Sequence, residues 1–136
     1  MANLKIGDIE GIGPSYGGQL RDAGITHTDG LLEAGATAAG RRDLAERSGI
    51  SEKKILDWVN MADLFRVSGI GPEYAELLEC SGVDTVKELR TRNAENLAAK
   101  LAEMNNEKSL TRAVPSAKVV QGWIDQAGEL PPKVEY

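Results

Sequence analysis

The sequence contains little of what disulfide-bonded, metal-binding or membrane proteins need. A single cysteine, Cys80, among 136 residues excludes an intramolecular disulfide framework and a multi-cysteine metal site. No apolar run approaches the roughly 20 residues that span a bilayer, and the first residues lack the basic and apolar segments of a signal peptide. These absences predict a cytoplasmic protein with no metal, no cofactor and no membrane partner.

An excess of positive charge is also missing. The net charge is −5 and the isoelectric point is near 4.9. Both halves are acidic, with seven Lys/Arg against ten Asp/Glu in residues 1–64 and nine against eleven in residues 65–136. Nucleic-acid binders usually neutralise phosphates with Lys and Arg, so any DNA contact must be local and must act against a mildly repulsive field.

Sets of catalytic residues are absent as well. There is one histidine, His27, with no partners that would make it catalytic. The sequence has no P-loop and no zinc-ligand spacing, and its acidic residues are spread out rather than clustered as a metal-dependent nuclease requires. We therefore predict that the protein is not an enzyme, although an accessory role beside a catalytic protein stays open.

One short motif occurs twice and organises the chain. Gly11-Ile12-Gly13-Pro14 returns 58 residues later as Gly69-Ile70-Gly71-Pro72. Glycine permits backbone conformations that other residues resist, and proline suits the first turn of a helix. Each motif therefore predicts a tight turn that opens a helix, with Ile12 or Ile70 buried and with backbone N–H groups able to hold a phosphate.

The spacing of apolar residues predicts an all-α fold. We expect two tandem repeats of about five helices each, residues 1–64 and 65–136, packed as one compact unit with a frayed tail from Pro131 to Tyr136. An apolar stripe with Trp58 recurs around Trp123, which makes both tryptophans core residues rather than base-stacking groups.

Polar residues before the apolar stretches predict the helix starts. The predicted caps are Thr26 with Asp29, Thr37, Ser51, Asp84, Asn93 and Ser116, whereas Gly24 and Gly82 are predicted to end the helices that follow the two motifs. The polar stretch Asn105-Asn106-Glu107 interrupts the apolar spacing that begins after Asn93 with Leu97, Leu101 and Met104.

The first motif, as Ile9-Glu10-Gly11-Ile12-Gly13-Pro14 followed by Leu20 and Gly24-Ile25, resembles the helix-hairpin-helix motif. From Ile6 to Leu130 the chain resembles a bacterial family of paired helix-hairpin-helix proteins known only as a domain of unknown function. The stretches that carry this likeness are Leu44-Ala45-Glu46, Ser51 to Trp58, Ala62-Asp63-Leu64, Arg66-Val67-Ser68-Gly69-Ile70-Gly71, Leu77-Leu78, and Pro115 with Trp123-Ile124. The chain is also similar to the DNA-gripping helical element of flap-type nucleases.

The resemblance implies sequence-independent DNA binding through hairpin backbone amides and the dipole of the following helix. Carried over by position, the binding residues are Gly11, Ile12, Gly13 and Ser15 in the first hairpin and Gly69, Ile70 and Gly71 in the second. The cations that could assist them are Lys5, Arg21, Arg41, Arg42 and Arg66. Where DNA-binding versions carry Lys or Arg, the second hairpin is followed by Glu73, Glu76 and Glu79.

Two functions are therefore expected from different classes. The first is a non-enzymatic module that binds duplex or single-stranded DNA without sequence preference. The second is an acidic scaffold that self-associates or binds a protein partner and has lost nucleic acid, which the glutamates after the second motif favour.

Overall fold

The computed structural model describes residues 3–9 and 11–135. Glu10 of the first motif phrase and Tyr136 of the predicted tail lie outside the described residues. The described chain has a 3-10 helix, Ile6–Asp8, and eight α-helices: α1 (Pro14–Asp22), α2 (Thr28–Gly35), α3 (Ala38–Ser48), α4 (Glu52–Leu64), α5 (Pro72–Cys80), α6 (Val86–Leu89), α7 (Ala94–Lys108) and α8 (Ala117–Glu129). The β pairing in the described residues is one isolated antiparallel bridge between Lys5 and His27. The all-α prediction is confirmed.

The described chain divides into two compact units. The first contains residues 3–63 together with 133–135, and the second contains residues 64–132. The second unit has four α-helices, α5 to α8, where about five were expected. The segment from Phe65 to Gly71, which precedes α5, contains turns.

The core of the first unit forms where α1 and α2 pack on α3. Its leucines and isoleucines at the helix contacts are fully buried: Leu20, Leu31, Leu44 and Ile55. Gly35 at the end of α2 lies so close to the Val59 side chain that a Cβ would not fit there. The close approach of α2 to α4 therefore depends on this glycine.

The start of α2 differs from the prediction. Its N-cap is His27, not Thr26, and no side chain of the cap residue itself is used. Instead, the Thr28 N–H donates to the Leu4 carbonyl at 2.8 Å, and the Asp29 N–H donates to Asn3 Oδ1 at 3.1 Å. The first amides of α2 are thus satisfied by a segment more than twenty residues away in sequence.

In the second unit, α8 packs on α6 and α7, and α5 packs on α7. Thr85, not Asp84, caps α6, accepting the Glu88 N–H at 3.2 Å. The α7 helix continues through Asn105-Asn106-Glu107 to Lys108 and ends at Ser109 with φ +52°. The Asn105 amide makes two hydrogen bonds to the backbone of Thr111 and so stabilises the loop that follows.

The other local signals are confirmed. Both proline-opened helices start at the proline. Gly24 and Gly82 follow the ends of α1 and α5 with φ near +90°. The predicted caps that accept a first-turn N–H through their side chains are Thr37, Ser51, Asn93 and Ser116.

The end of the chain makes defined contacts with the first unit. The Glu135 N–H donates to the Ala36 carbonyl at 2.7 Å, and the Arg41 Nη2 donates to the Glu135 carbonyl at 2.6 Å. The tail predicted to fray therefore has hydrogen-bond partners at residue 135.

Candidate nucleic-acid interface

The first Gly-Ile-Gly-Pro turn is held by its central isoleucine. Gly11 has φ +90°, a conformation that strongly favours glycine. The Ile12 side chain is 6% exposed, and its N–H donates to the Ile9 carbonyl at 3.2 Å. Ile12 therefore anchors the turn, and its amide is used within the chain instead of facing a ligand.

The second turn has the same geometry. Gly69 has φ +94°, Ile70 is 1% exposed, and the Ile70 N–H donates to the Val67 carbonyl at 3.2 Å. The N–H groups of both isoleucines, which were predicted to bind phosphate, thus bind carbonyls of the chain. A phosphate contact can be made only by the residues that follow them.

Each turn rests on a tryptophan of its own unit. A Cβ added to Gly11 would lie 3.6 Å from Trp58 Nε1, and one added to Gly69 would lie 3.1 Å from Trp123 Nε1. Both indoles are 5% exposed or less, so the prediction that they are core residues is confirmed. They pack against the turn glycines and are too buried to stack on a nucleotide base.

The helices after the two turns start without a capping hydrogen bond from a side chain. Gly13 and Gly71 are the N-cap residues of α1 and α5, and neither has a side chain to accept a hydrogen bond. The first helical N–H to be satisfied in α1 is that of Gly17, which donates to the Gly13 carbonyl. The N–H groups of Ser15 and Tyr16 therefore point out of the helix end, with no partner among the described residues.

Every other described α-helix has its first turn satisfied by a side chain or a distant backbone group. Five are capped by their own Ser, Thr or Asn, and α2 is capped by Asn3 and Leu4. At Gly13, moreover, a Cβ would meet no atom of the described chain within 4 Å, and φ is −81°. Neither strain nor packing within the chain requires glycine there, whereas the close approach of a ligand backbone would.

Two cations lie beside the first turn of α1. Lys54 Nζ lies 5.5 Å from the centre of the Tyr16 ring, and Tyr16 is one of the residues with an outward amide. The Arg21 guanidinium folds back along α1, with Nη1 3.3 Å from the Cβ position of Gly17. Arg21 was predicted from the sequence, whereas Lys54 was not. Lys54 lies four residues before Trp58, whose ring contacts the Tyr16 ring, and this spacing could have identified it.

Arg41 is buried in the first unit, and its guanidinium is used in hydrogen bonds to the backbone. It is 6% exposed. Its guanidinium donates to the carbonyls of Gly35, Ala36 and Glu135. This geometry argues against the predicted phosphate contact, because an arginine buried among three carbonyls cannot reach a ligand at the surface.

The remaining predicted cations are divided between surface and interior. Arg66 is 6% exposed, which also removes it from an open surface. Arg42 is exposed and lies 3.8 Å from the Glu52 carboxylate. Lys5 is exposed at the start of the 3-10 helix that precedes the first turn. Arg21 belongs to α1 itself, and its guanidinium lies beside Gly17 of that helix.

The second turn has a different surrounding. Glu73 is exposed in the first turn of α5, where its N–H and that of Tyr74 precede the first helical bond. Val119 occupies the third position after the Ser116 cap, as Lys54 does after Ser51, and is 46% exposed. The Tyr74 hydroxyl donates to the Ala113 carbonyl at 3.1 Å, next to the exposed Val114. The position that corresponds to Lys54 thus carries a valine, and the first turn of α5 carries a carboxylate.

Cys80 closes α5 away from the turn. Burial raises the pKa of its thiol, Lys108 lowers it, and Glu76 and Glu79 raise it further. A thiol held protonated in this way is a poor nucleophile, which fits its interpretation as a small partly buried residue.

Two further findings concern the described residues only. They contain no group of three or more His, Cys, Asp or Glu side chains placed to hold a metal ion. Among them, no helix is both long and apolar enough to cross a membrane.

Comparison with known proteins gives a family. The model of a family described as "Domain of unknown function (DUF4332)" matches residues 10–130. The chain belongs to the DUF4332 family. No solved structure matches this DUF4332 chain. The match includes both Gly-Ile-Gly-Pro turns and both tryptophans.

Proposed function

We propose that this chain is a non-enzymatic, sequence-independent DNA-binding module built from two tandem helix-hairpin-helix repeats. The observation that carries the proposal is the uncapped start of α1, whose outward amides at Ser15 and Tyr16 lie next to an open Gly13. A phosphate oxygen can accept from such amides, and the positive end of the helix dipole favours the charge.

The repeat organisation is supported by corresponding geometry in the two units. The turns share φ near +90° at Gly11 and Gly69. The tyrosine two residues after each proline lies against the tryptophan of the same unit, with ring centroids 5.3 Å apart in both cases. The N-cap residues before α2 and α6 both have φ −134° and ψ 164°.

The first hairpin is the main phosphate contact in this proposal. Lys54 lies over the Tyr16 ring, the Arg21 guanidinium lies beside Gly17, and the first turn of α1 carries no carboxylate. Contacts from backbone amides and cations to phosphate carry no information about base sequence. Binding is therefore expected to depend on salt and not on sequence.

A second candidate function applies to the second unit. The exposed Glu73, Val114 and Val119 near its turn favour a protein contact, because carboxylates repel phosphate and exposed valines gain from burial. In this alternative the second hairpin is a structural turn in an interaction or assembly scaffold.

Titration of fluorescently labelled DNA with the protein tests the proposal. Anisotropy is measured on one duplex, on a duplex of scrambled sequence and on single-stranded DNA, beginning near 50 mM salt, where phosphate-driven affinity is high. The expected result is binding of similar strength to both duplex sequences that weakens as salt rises. Absence of binding at this salt would overturn the proposal, and light scattering on the same samples would report self-association.

A variant with the amide site blocked provides the specific control. Gly13→Asp places a carboxylate at the N-cap, where it accepts from the first-turn amides and competes with a phosphate. Asp is a favourable N-cap residue, so the variant is expected to fold normally but to lose DNA affinity. Thr37→Asp makes a similar charge change at a helix start that is already capped and should leave DNA affinity nearly unchanged.

A further inference from the structure

A recess in the second unit of this acidic chain is lined by nitrogen donors. It has a volume of about 340 Å³ and lies where the end of α5 meets the start of α7. Its polar lining consists of Ser81, Thr91, Arg92, Asn93, Asn96 and Lys100. Two of these residues are cationic, and no lining residue carries a carboxylate.

The Arg92 side chain is fixed at the edge of the recess. Its Nε and Nη2 donate to Glu88 Oε1 at 3.1 and 2.8 Å, and Nη2 also donates to the Gly82 carbonyl at 2.9 Å. The remaining nitrogen, Nη1, has no hydrogen-bond partner among the described residues. Because the guanidinium is already ordered, a ligand that accepts from Nη1 does not have to immobilise it.

Further nitrogen donors come from one face of α7. Asn96 and Lys100 lie four residues apart in α7, so their side chains share a face, and Asn93 is the cap residue directly before the helix. The Asn93 Oδ1 accepts the Asn96 N–H, which leaves the Asn93 amide nitrogen as a donor. Lys100 makes no ion pair within the described residues. Four nitrogen donors from α7 and the loop before it thus border one open space.

We propose that this recess binds a phosphate monoester. Lysine, an arginine nitrogen and amide donors are groups that hold a phosphate dianion. Glu88 balances the charge of Arg92, so the charge that favours an anion is that of Lys100. The volume corresponds to about ten water molecules, which is room for a phosphate with part of the organic group that carries it. That group can be a small metabolite or the end of a nucleic-acid strand, since both present the same chemistry.

The recess shares no residue with the proposed DNA contact at the first turn and is distant from the second turn. It adjoins Ser81, beyond the last residue of α5, whereas the second turn precedes the first residue of that helix. Nine residues of α-helix span about 13 Å. The proposal therefore stands or falls independently of DNA binding at the first hairpin.

Amide-detected NMR titration tests it on the intact chain. The probes are inorganic phosphate, a nucleoside monophosphate, and a short oligonucleotide with and without a 5′-phosphate. Supporting results are shifts concentrated at residues 91–100, with an affinity about tenfold weaker in Lys100→Gln because one charge-assisted hydrogen bond is lost. Asn96→Asp, which puts a carboxylate into the recess, should weaken binding further.

The controls separate a site from general attraction of anions. Lys87→Gln removes the same charge from α6, outside the recess lining, and should leave binding unchanged. A stronger response to the monophosphate than to the phosphorylated oligonucleotide identifies a small-molecule site, and the reverse order identifies a strand end. The proposal is overturned if no probe shifts these amides at about 10 mM, or if Lys100→Gln and Lys87→Gln behave alike.

Discussion

Trp123 Nε1 lies 3.1 Å from the place that a Cβ on Gly69 would occupy. Two constraints therefore meet at Gly69, since its φ of +94° is also strained for any residue with a Cβ. Gly71, two residues later, has φ −98° and open space around its Cβ position. Two glycines of one motif thus have different structural requirements.

Gly69→Ala should destabilise the second unit by roughly 1–3 kcal/mol, the cost of a strained backbone conformation, and the contact with Trp123 should add to it. Gly71→Ala should change the free energy of unfolding much less. Urea unfolding followed by Trp123 fluorescence, in a Trp58→Phe background, measures both. Equal effects of the two substitutions would contradict the assignment of strain to Gly69.

Arg41→Gln should destabilise the first unit by about 2 kcal/mol, because a buried guanidinium and its bonds to three carbonyls are lost. Arg42→Gln is the matched control, since its exposed ion pair with Glu52 contributes little. Trp58 fluorescence in a Trp123→Phe background reports the unfolding. A larger effect of Arg42→Gln would show that the carbonyl contacts of Arg41 are unimportant.

Lys54→Gln should weaken DNA binding. A plot of the logarithm of the affinity against the logarithm of the salt concentration should become less steep by about 0.9, the slope expected per neutralised phosphate. Lys53→Gln removes the same charge from the adjacent position, where Lys53 lies 3.7 Å from Asp57. The two variants are compared by anisotropy over a range of salt concentrations. If Lys53→Gln has the larger effect, the cation at the first hairpin has been assigned to the wrong residue.

Val119→Lys should add DNA affinity to the second unit. The substitution places an ammonium at the position that corresponds to Lys54, and Val119 is exposed enough to accept it without repacking. The double variant Val119→Lys with Glu73→Ser, in which serine stands as it does at Ser15, should gain more DNA affinity than Val119→Lys alone. Val114→Lys is the control for charge alone, and a gain as large from it would indicate general attraction rather than a restored hairpin.

Cys80 should react slowly with iodoacetamide at neutral pH, because burial raises the pKa of its thiol. Lys108→Met should slow the reaction further, whereas Glu79→Gln should speed it, since these charges act in opposite directions. A thiol whose pKa is raised by folding stabilises the folded state below its unfolded pKa of about 8.5, and this contribution is lost as the pH rises through the folded pKa. The pH dependence of the alkylation rate gives the pKa, and a value below that of a free thiol would contradict this account.

Local chemistry explains which features could be predicted from the sequence. Proline at the first helical position and Ser, Thr or Asn at the cap act within a few residues, so the starts of α1, α5, α7 and α8 could be predicted. The cap of α2 comes from Asn3 and Leu4, at a separation that no local pattern reveals.

The candidate site divides in the same way. The two turns and their buried isoleucines follow from the motif itself. The burial of Arg41 and the position of Lys54 depend on how helices pack, and the sequence shows both only as charged residues on helices. Lys54 could have been found by asking what precedes Trp58 by one helical turn, because that residue shares its face.

The bond between Arg41 and Glu135 joins residues 94 positions apart and has a consequence for the order of folding during synthesis. Gly35 and Ala36 are available to Arg41 as soon as α2 and α3 leave the ribosome, whereas Glu135 emerges after the whole second unit. The arginine must therefore be held at first by two carbonyls that are local in sequence. The third arrives last and closes a long loop, whose entropic cost grows only slowly with its length.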